Sequence, residues 1–343
     1  MTSVVLTQTL PNGRAMSLQQ SNDDFTLYLD VQQAVCLQVT SRTTNLWFVQ
    51  LLDVALSDSQ ASASVLGLAL HALFDAEPSL LKIELALGTR PDLQEPLQYF
   101  GLADATAASS GSVLSLRAML RQLPEFWLPQ LRPHTFPLLQ TMSEGKRHPL
   151  RAPVPAGEVY RRYVLQLNAQ LSLRTVDPAT DVDIFHDWMN NPRVARFWEL
   201  DGDWGMHRDY LHKVTADIHL HPVFGCFDGQ PFGYFELYWA KEDRIAPYYD
   251  VDDYDRGIHM LVGDEQFRGP HRVAAWLPSL AHFLFLDDPR TRHVVAEPRA
   301  DNAKMIGYMQ TAGFYKPKEF NFPHKRAAMM MLSREAFFDQ FCL

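Results

Sequence analysis

The stretch from Gly257 to Phe285 constrains this chain most. Gly257-Ile258-His259-Met260-Leu261-Val262 is an apolar run that suits a buried strand. A polar turn follows, Gly263-Asp264-Glu265-Gln266-Phe267-Arg268-Gly269-Pro270-His271-Arg272, and then an apolar helix from Val273 to Phe285. A strand that feeds a helix start through a glycine-bearing loop aims several backbone N–H groups at one place, and the helix dipole adds positive field there. Arg268, His271 and Arg272 strengthen that field, so the turn favours an anion. It lacks the Lys-Ser/Thr of a nucleotide P-loop. Taken alone, it is equally a plain strand-to-helix turn.

A chain of 343 residues suggests two domains. The net charge of −9 disfavours nucleic acid as a partner. Cys36, Cys226 and Cys342 are odd in number and far apart, which fits neither a disulfide framework nor a zinc knuckle. A reducing cytoplasm is the matching expectation, with no metal. Met1-Thr2-Ser3-Val4 does not have the layout of a signal peptide, and no apolar run approaches membrane-spanning length. No membrane partner is expected, and the oligomeric state is not written visibly in the sequence.

The alternation of strand and helix signals places the chain in the α/β class. Strands are expected within 25–56, at 81–85, and at or near 113–120. Helices are expected at 63–74 and 91–100. Prolines at 124, 129, 133, 137, 149, 153 and 155 prevent long regular structure and mark a connector over 124–157. That gives a first domain over 1–123 and a second over 158–343. The second half reads as strands at 171–176, 221–227, 232–239, 257–262, 291–296 and 327–332. Helices fall at 181–189, 209–218, 273–285 and 302–311, and Asp228-Gly229 is a hairpin turn. Residues 73–102 echo 284–314: helix end, acid-Pro turn, strand, polar turn, helix, Gly-apolar. An internal duplication is the expectation, with chance similarity of two αβα units as the alternative. The first copy's turn, Ser57-Asp58-Ser59-Gln60-Ala61-Ser62, has neither glycine nor base, so that half looks degenerate.

The second half carries a run of longer motifs. They include Gly157-Glu158-Val159-Tyr160-Arg161-Arg162-Tyr163, Trp188-Met189-Asn190-Asn191-Pro192-Arg193-Val194 and Phe197-Trp198-Glu199. Then come Pro231-Phe232-Gly233-Tyr234-Phe235-Glu236-Leu237-Tyr238-Trp239-Ala240, Glu242-Asp243-Arg244-Ile245 and Asp255-Arg256-Gly257-Ile258-His259. Glu297-Pro298-Arg299-Ala300-Asp301-Asn302 and Phe322-Pro323-His324-Lys325-Arg326 complete the set. In this order they resemble the acyl-CoA-dependent GNAT acyltransferases. More narrowly they resemble the siderophore branch, the aerobactin-type N6-hydroxylysine acetyltransferases and their alcaligin, desferrioxamine and mycobactin relatives. The resemblance covers over half the chain; the first 150 residues share only length and layout.

The resemblance implies a mixed sheet flanked by helices, in two GNAT-like halves in tandem, the N-terminal one degenerate. It implies acetyl-CoA or another short acyl-CoA, succinyl-CoA included, as co-substrate. The acceptor would be an N-hydroxylated lysine or diamine, with siderophore-pathway enzymes as partners. Met260, Leu261 and Val262 would hold the pantetheine arm through their backbone. Gln266, Arg268, Gly269, His271 and Arg272 would surround the diphosphate, and Asn302 would meet the pantetheine amides. His271 stands where the usual pattern has a small residue, and Pro270 removes one N–H. His259 is the leading base, because imidazole titrates near neutrality. Asp301 is the second candidate, or equally an N-cap for the helix that follows. Trp198, Tyr234, Glu236, Tyr238 and Trp239 would shape the substrate cleft, and His324, Lys325 and Arg326 would grip a carboxylate. Tyr308 stands one step from the position where many relatives place an acid, so none is assigned. An acyltransferase for an ordinary amine such as a polyamine, or a non-catalytic acyl-CoA sensor, are the competing readings.

Overall fold

A computed structural model of the chain describes residues 2–104, Ser109 and 111–340. Cys342 lies outside the described residues, while Cys36 and Cys226 are free thiols. The chain divides into two compact units between Trp127 and Leu128.

The first unit is a seven-stranded sheet whose strands lie in sequence order. β1 (Ser3–Thr9), β2 (Ala15–Ser21), β3 (Asp24–Leu29), β4 (Gln32–Arg42) and β5 (Leu46–Val54) form an antiparallel meander. Its period-two apolar pattern buries one face, with Phe25, Leu27 and Leu29 of β3 each at most 3% exposed. α1 (Ser59–Ala76) crosses over to β6 (Lys82–Ala86), which runs parallel to β5. The short helices α2 (Gln94–Tyr99) and α3 (Arg117–Leu120) flank β7 (Ser112–Leu116), which pairs antiparallel with β6.

The second unit repeats this strand order only as far as the sixth strand of its large sheet; it inserts three helices between the second and third of these strands and ends on two strands in reversed order. The proline-rich stretch supplies a hairpin of β8 (Gln140–Ser143) and β9 (Lys146–Pro149). β10 (Glu158–Val164), β11 (Ala169–Thr175), β12 (Leu220–Phe227), β13 (Gln230–Trp239) and β14 (Arg256–Val262) are antiparallel neighbours. Between β11 and β12 lie α4 (Val182–Met189), α5 (Pro192–Trp198) and α6 (Trp204–Ala216). α7 (Pro270–Asp287) crosses over to β15 (His293–Ala296), parallel to β14. α8 (Ala303–Thr311), β16 (Tyr315–Asn321), β17 (Arg326–Ser333) and α9 (Arg334–Gln340) complete the chain, with β17 between β15 and the edge strand β16.

Several expected boundaries move for identifiable reasons. α6 starts at Trp204, before the expected Asp209, because the Asp203 carboxylate accepts from Met206 N at 2.9 Å and caps it. α5 was not expected; Pro192 sits in its first turn and Asn191 caps it. β16 was not expected either, because an exposed edge strand rich in Lys and Glu shows no apolar alternation. The hairpin turn stands as expected, with Asp228 at φ 49° and Gly229 at φ 81°. The echo between 73–102 and 284–314 is the same passage in both units: the end of the crossover helix, the parallel strand, and the next helix.

The core of the second unit lies between the sheet and its helices. Phe224, Tyr234, Phe235, Trp276, Phe283 and Phe285 are all at most 1% exposed. Each such side chain contributes about 1.5–3 kcal/mol by leaving water.

Candidate active site

β14 and β15 pair over only two positions, Arg256 with Val294 and Gly257 with Val295. Beyond Gly257 the strands part, so the second half of β14 has a neighbour on the β13 side alone. A cavity of about 1130 Å³ lies in this region of the second unit. His259, Met260, Leu261 and Val262 line it, as do Ala296 and Glu297 at the end of β15.

The centre of the cavity follows from strand register. Tyr234, Glu236 and Tyr238 alternate along β13 and so share one face. His259 lies directly opposite Glu236, and Gly257 opposite Tyr238. Gly257 has to lack a side chain, since a Cβ there would stand 2.0 Å from the Tyr238 ring. With that space open, Tyr238 lies against His259 and donates its hydroxyl to Glu297 at 2.8 Å.

Both ring nitrogens of His259 meet carboxylates. Nδ1 donates to Glu236 Oε2 at 2.9 Å, and Nε2 donates to Glu297 Oε1 at 2.8 Å. Glu236 also accepts from Tyr234 at 2.9 Å and from Tyr210 of α6. Burial opposes charge on His259, but the two carboxylates outweigh it and raise its pKa to about 10. Glu297 is held well below the usual carboxylate range. Burial opposes this, but His259 and then Lys325 dominate. His259 therefore stands as an imidazolium at neutral pH, where titration near neutrality had been expected. Arg244 (3.5 Å) and Lys325 (4.0 Å) approach the same Glu297 oxygen.

The helix after the turn starts at Pro270, before the expected Val273, so His271 and Arg272 belong to its first turn. Gly269 caps α7 at φ 133°, a conformation that favours glycine, and no side chain caps the helix. Arg268, Gly269 and Pro270 line the cavity. Arg193 of α5 joins them, its guanidinium donating to the carbonyls of Val262 (2.9 Å) and Gly263 (3.1 Å). Burial and then the like charge of Arg268 lower the pKa of Arg193.

The structure divides the remaining expected residues. Trp198, Tyr238, Trp239, Lys325 and Asn302 line the cavity. Asn302, not Asp301, is the N-cap of α8, its Oδ1 accepting from Met305 N at 3.2 Å. Asp301 is outside the cavity lining, two-thirds exposed and paired with Arg299 at 3.2 Å. Tyr234 is fully buried, and its contribution is the hydroxyl given to Glu236. His324 stacks on Phe322 and Arg326 pairs with Glu319, both away from the cavity wall. Gln266 and His271 are exposed and do not line it. Arg272 lies over the rings of Phe227 and Phe267, at 4.8 and 5.2 Å. Tyr308 and Met309 both reach the wall, so a one-step offset on α8 does not remove Tyr308 from the cavity. Glu297, Tyr210, Arg193, Arg244 and Asp243 were not picked out as site residues. Glu297 carried a signal, a carboxylate directly after an apolar strand; Tyr210 carried none, since its hydroxyl meets Glu236 only through the fold.

Comparison with known proteins agrees with this architecture. Residues 177–322 match the family described as Acetyltransferase (GNAT) domain. An N(6)-hydroxylysine O-acetyltransferase of Escherichia coli is 38% identical over 275 residues, 79% of this chain and 84% of that protein. An N(5)-hydroxyornithine:cis-anhydromevalonyl coenzyme A-N(5)-transacylase of Beauveria bassiana is 47% identical over 196 residues, 56% of this chain and 43% of that one. A solved structure of an uncharacterized protein from Bacillus halodurans, 32% identical, covers 54% of this chain and 94% of its own, with a TM-score of 0.51. The chain belongs to the GNAT acyltransferases, in the group that includes hydroxylysine and hydroxyornithine acyl-transferring enzymes. Among the described residues, no helix is long and apolar enough to cross a membrane.

Proposed function

We propose that this enzyme transfers an acetyl or other short acyl group from coenzyme A to the hydroxylamine nitrogen of an N-hydroxylated lysine or diamine, a step of hydroxamate siderophore synthesis. The observation that carries the reading is the Glu236–His259–Glu297 cluster beside the parted strands. The diphosphate of the coenzyme would sit at the start of α7, against Arg268 and Arg193. The pantetheine arm would run along Met260–Val262, bringing the thioester beside His259.

A hydroxylamine is largely uncharged at neutral pH, so the enzyme has mainly to orient it. The imidazolium of His259 supplies positive charge near the thioester oxygen as negative charge develops there. When the nitrogen attacks, its proton passes to the cluster, to whichever carboxylate yields its hydrogen bond with His259. The C–N bond forms, the C–S bond breaks, and coenzyme A leaves as thiolate. Arg244 and Lys325 line this end of the cavity beside Glu297 and Asp243, and are the groups that would meet an amino-acid carboxylate.

The test is release of free thiol from acetyl-CoA and succinyl-CoA with N6-hydroxylysine, N-hydroxycadaverine and their parent amines. The product is then treated with ferric ion. A coloured ferric hydroxamate is expected with a hydroxylated acceptor. Thiol release without colour shows O-acylation, the chemistry in the name of the Escherichia coli relative, and overturns the nitrogen as nucleophile. Faster release with the parent amines supports an ordinary amine acyltransferase. No release with any acceptor supports a sensor.

A further inference from the structure

The second unit holds a group of side chains that acyl transfer does not use. His148 of β9, His219 between α6 and β12, and Glu242 after β13 each place one ligand-type atom within 4.8 Å of the others. The two imidazoles meet edge to face, with ring centroids 4.8 Å apart. His148 is 1% exposed, and its Nδ1 lies 2.8 Å from Pro149 O and 2.9 Å from Glu242 Oε1. His219 Nδ1 lies 3.3 Å from Asp217 Oδ1. Pro149 O can only accept, so His148 Nδ1 carries the proton and its Nε2 carries the lone pair. Both Nε2 atoms are buried and have no hydrogen-bond partner among the described residues.

An oxygen on the far ring nitrogen, with the near nitrogen bare, is how proteins prepare histidine to bind a metal ion. Arg151 holds Glu242 in place, Nε to Oε1 at 2.6 Å and NH2 to Oε2 at 2.8 Å. Oε2 keeps a lone pair beyond that contact.

We infer that His148, His219 and Glu242 form a site for one divalent transition-metal ion of the zinc type. Two imidazoles and a carboxylate favour that class over magnesium or calcium. The role of the ion is structural. His219 and Glu242 stand in the wall of the large cavity, and the β8–β9 hairpin adds Ser143, Glu144 and Lys146 to that wall. The ion ties the hairpin to the body of the unit and fixes one side of the acceptor cavity. This inference does not depend on the identity of the acceptor.

The experiment uses the full chain, stripped with a chelator and shown by circular dichroism to remain folded. Zinc is titrated in competition with a chromophoric chelator, and cobalt(II) is added separately to read ligand-field absorption. One equivalent of zinc should bind, with tetrahedral cobalt bands. His219→Ala and, separately, His148→Gln should each weaken zinc binding by about a hundredfold or more and abolish the bands. His219 is partly exposed, so its variant should keep the fold if His148→Gln does not. Absence of a bound equivalent overturns the site, as does binding that survives both substitutions on other histidines. Added zinc should slow hydrogen exchange over residues 140–149; an ion bound at these ligands that leaves the exchange unchanged overturns its structural role.

Discussion

The two units share one strand order as far as the sixth strand and differ where chemistry needs them to. In each, five antiparallel strands lead into an 18-residue crossover helix and a parallel sixth strand. In the first unit, β5 and β6 stay paired over five positions, from Leu46 with Lys82 to Gln50 with Ala86. In the second, β14 and β15 part after two. The helix starts differ as well. α1 begins on Asp58, whose carboxylate accepts from Ala61 N at 2.7 Å and fills the anion position with its own charge. α7 begins on Gly269 after Arg268, with no side-chain cap at that position. The fold is thus closed and self-capped in the first unit, open and cationic at the corresponding place in the second. The same topology comes with different strand pairing and different helix caps, and the proposed site uses the parted strands and the uncapped helix start.

The sharpest way to break this contrast is to remove the centre of the open copy. His259→Ala or Glu297→Gln should lower kcat by about 10²–10⁴-fold, read as ferric hydroxamate formed per unit time. Binding of the coenzyme, followed separately by calorimetry, should change little. Retention of near-normal turnover in both variants would show that the cluster is only packing.

A second substitution gives the open copy the acid of the closed one. Arg268→Asp should raise KM for acyl-CoA by about 10–100-fold and leave kcat close to unchanged, since it removes binding made equally in ground and transition states. A fall in kcat with KM unchanged would place the diphosphate elsewhere.

The third concerns pH. The pKa of His259 is raised from 6.5 to about 10 on folding, so its contribution is complete below pH 6.5 and is lost as pH rises through about 10. Denaturant unfolding followed between pH 6 and 10 should show a loss on the order of a few kcal/mol that His259→Asn abolishes. The same slope in wild type and variant would mean that the ring is not the group responsible.

The smallest effect belongs to the closed copy. Asp58→Ala should cost about 1 kcal/mol of stability through loss of the cap, with kcat/KM unchanged. A change in kcat/KM would mean that the first unit takes part in the reaction.

Much of the fold was legible because it is local. The strands around Phe235 and Val295, the crossover helix after Arg272, and the Asp228-Gly229 turn all follow from period and turn chemistry. His259 was legible as a titratable group within an apolar run, and Arg268-Gly269 as a cationic helix start. The charge state of His259 was not, because Glu236 comes from β13 and Glu297 from the residue after β15, on either side of β14. Asp301 and Arg326 were attractive by position in their motifs, yet Arg299 and Glu319 hold them at the surface. The pairing of His148 with His219 and Glu242 was equally hidden, since 71 and 94 residues of chain separate His148 from those two.

By itself, the sequence determined the alternation of strand and helix, the family, and the glycine-bearing turn into a helix, because each rests on neighbours within one element or one motif. Only tertiary structure decided that β14 and β15 separate after Gly257, that an imidazole becomes a lasting cation between two glutamates, and which basic residues face the cavity. Those outcomes depend on distances between segments far apart in the chain, and electrostatic energy at a few ångströms is set by such distances, not by residue type.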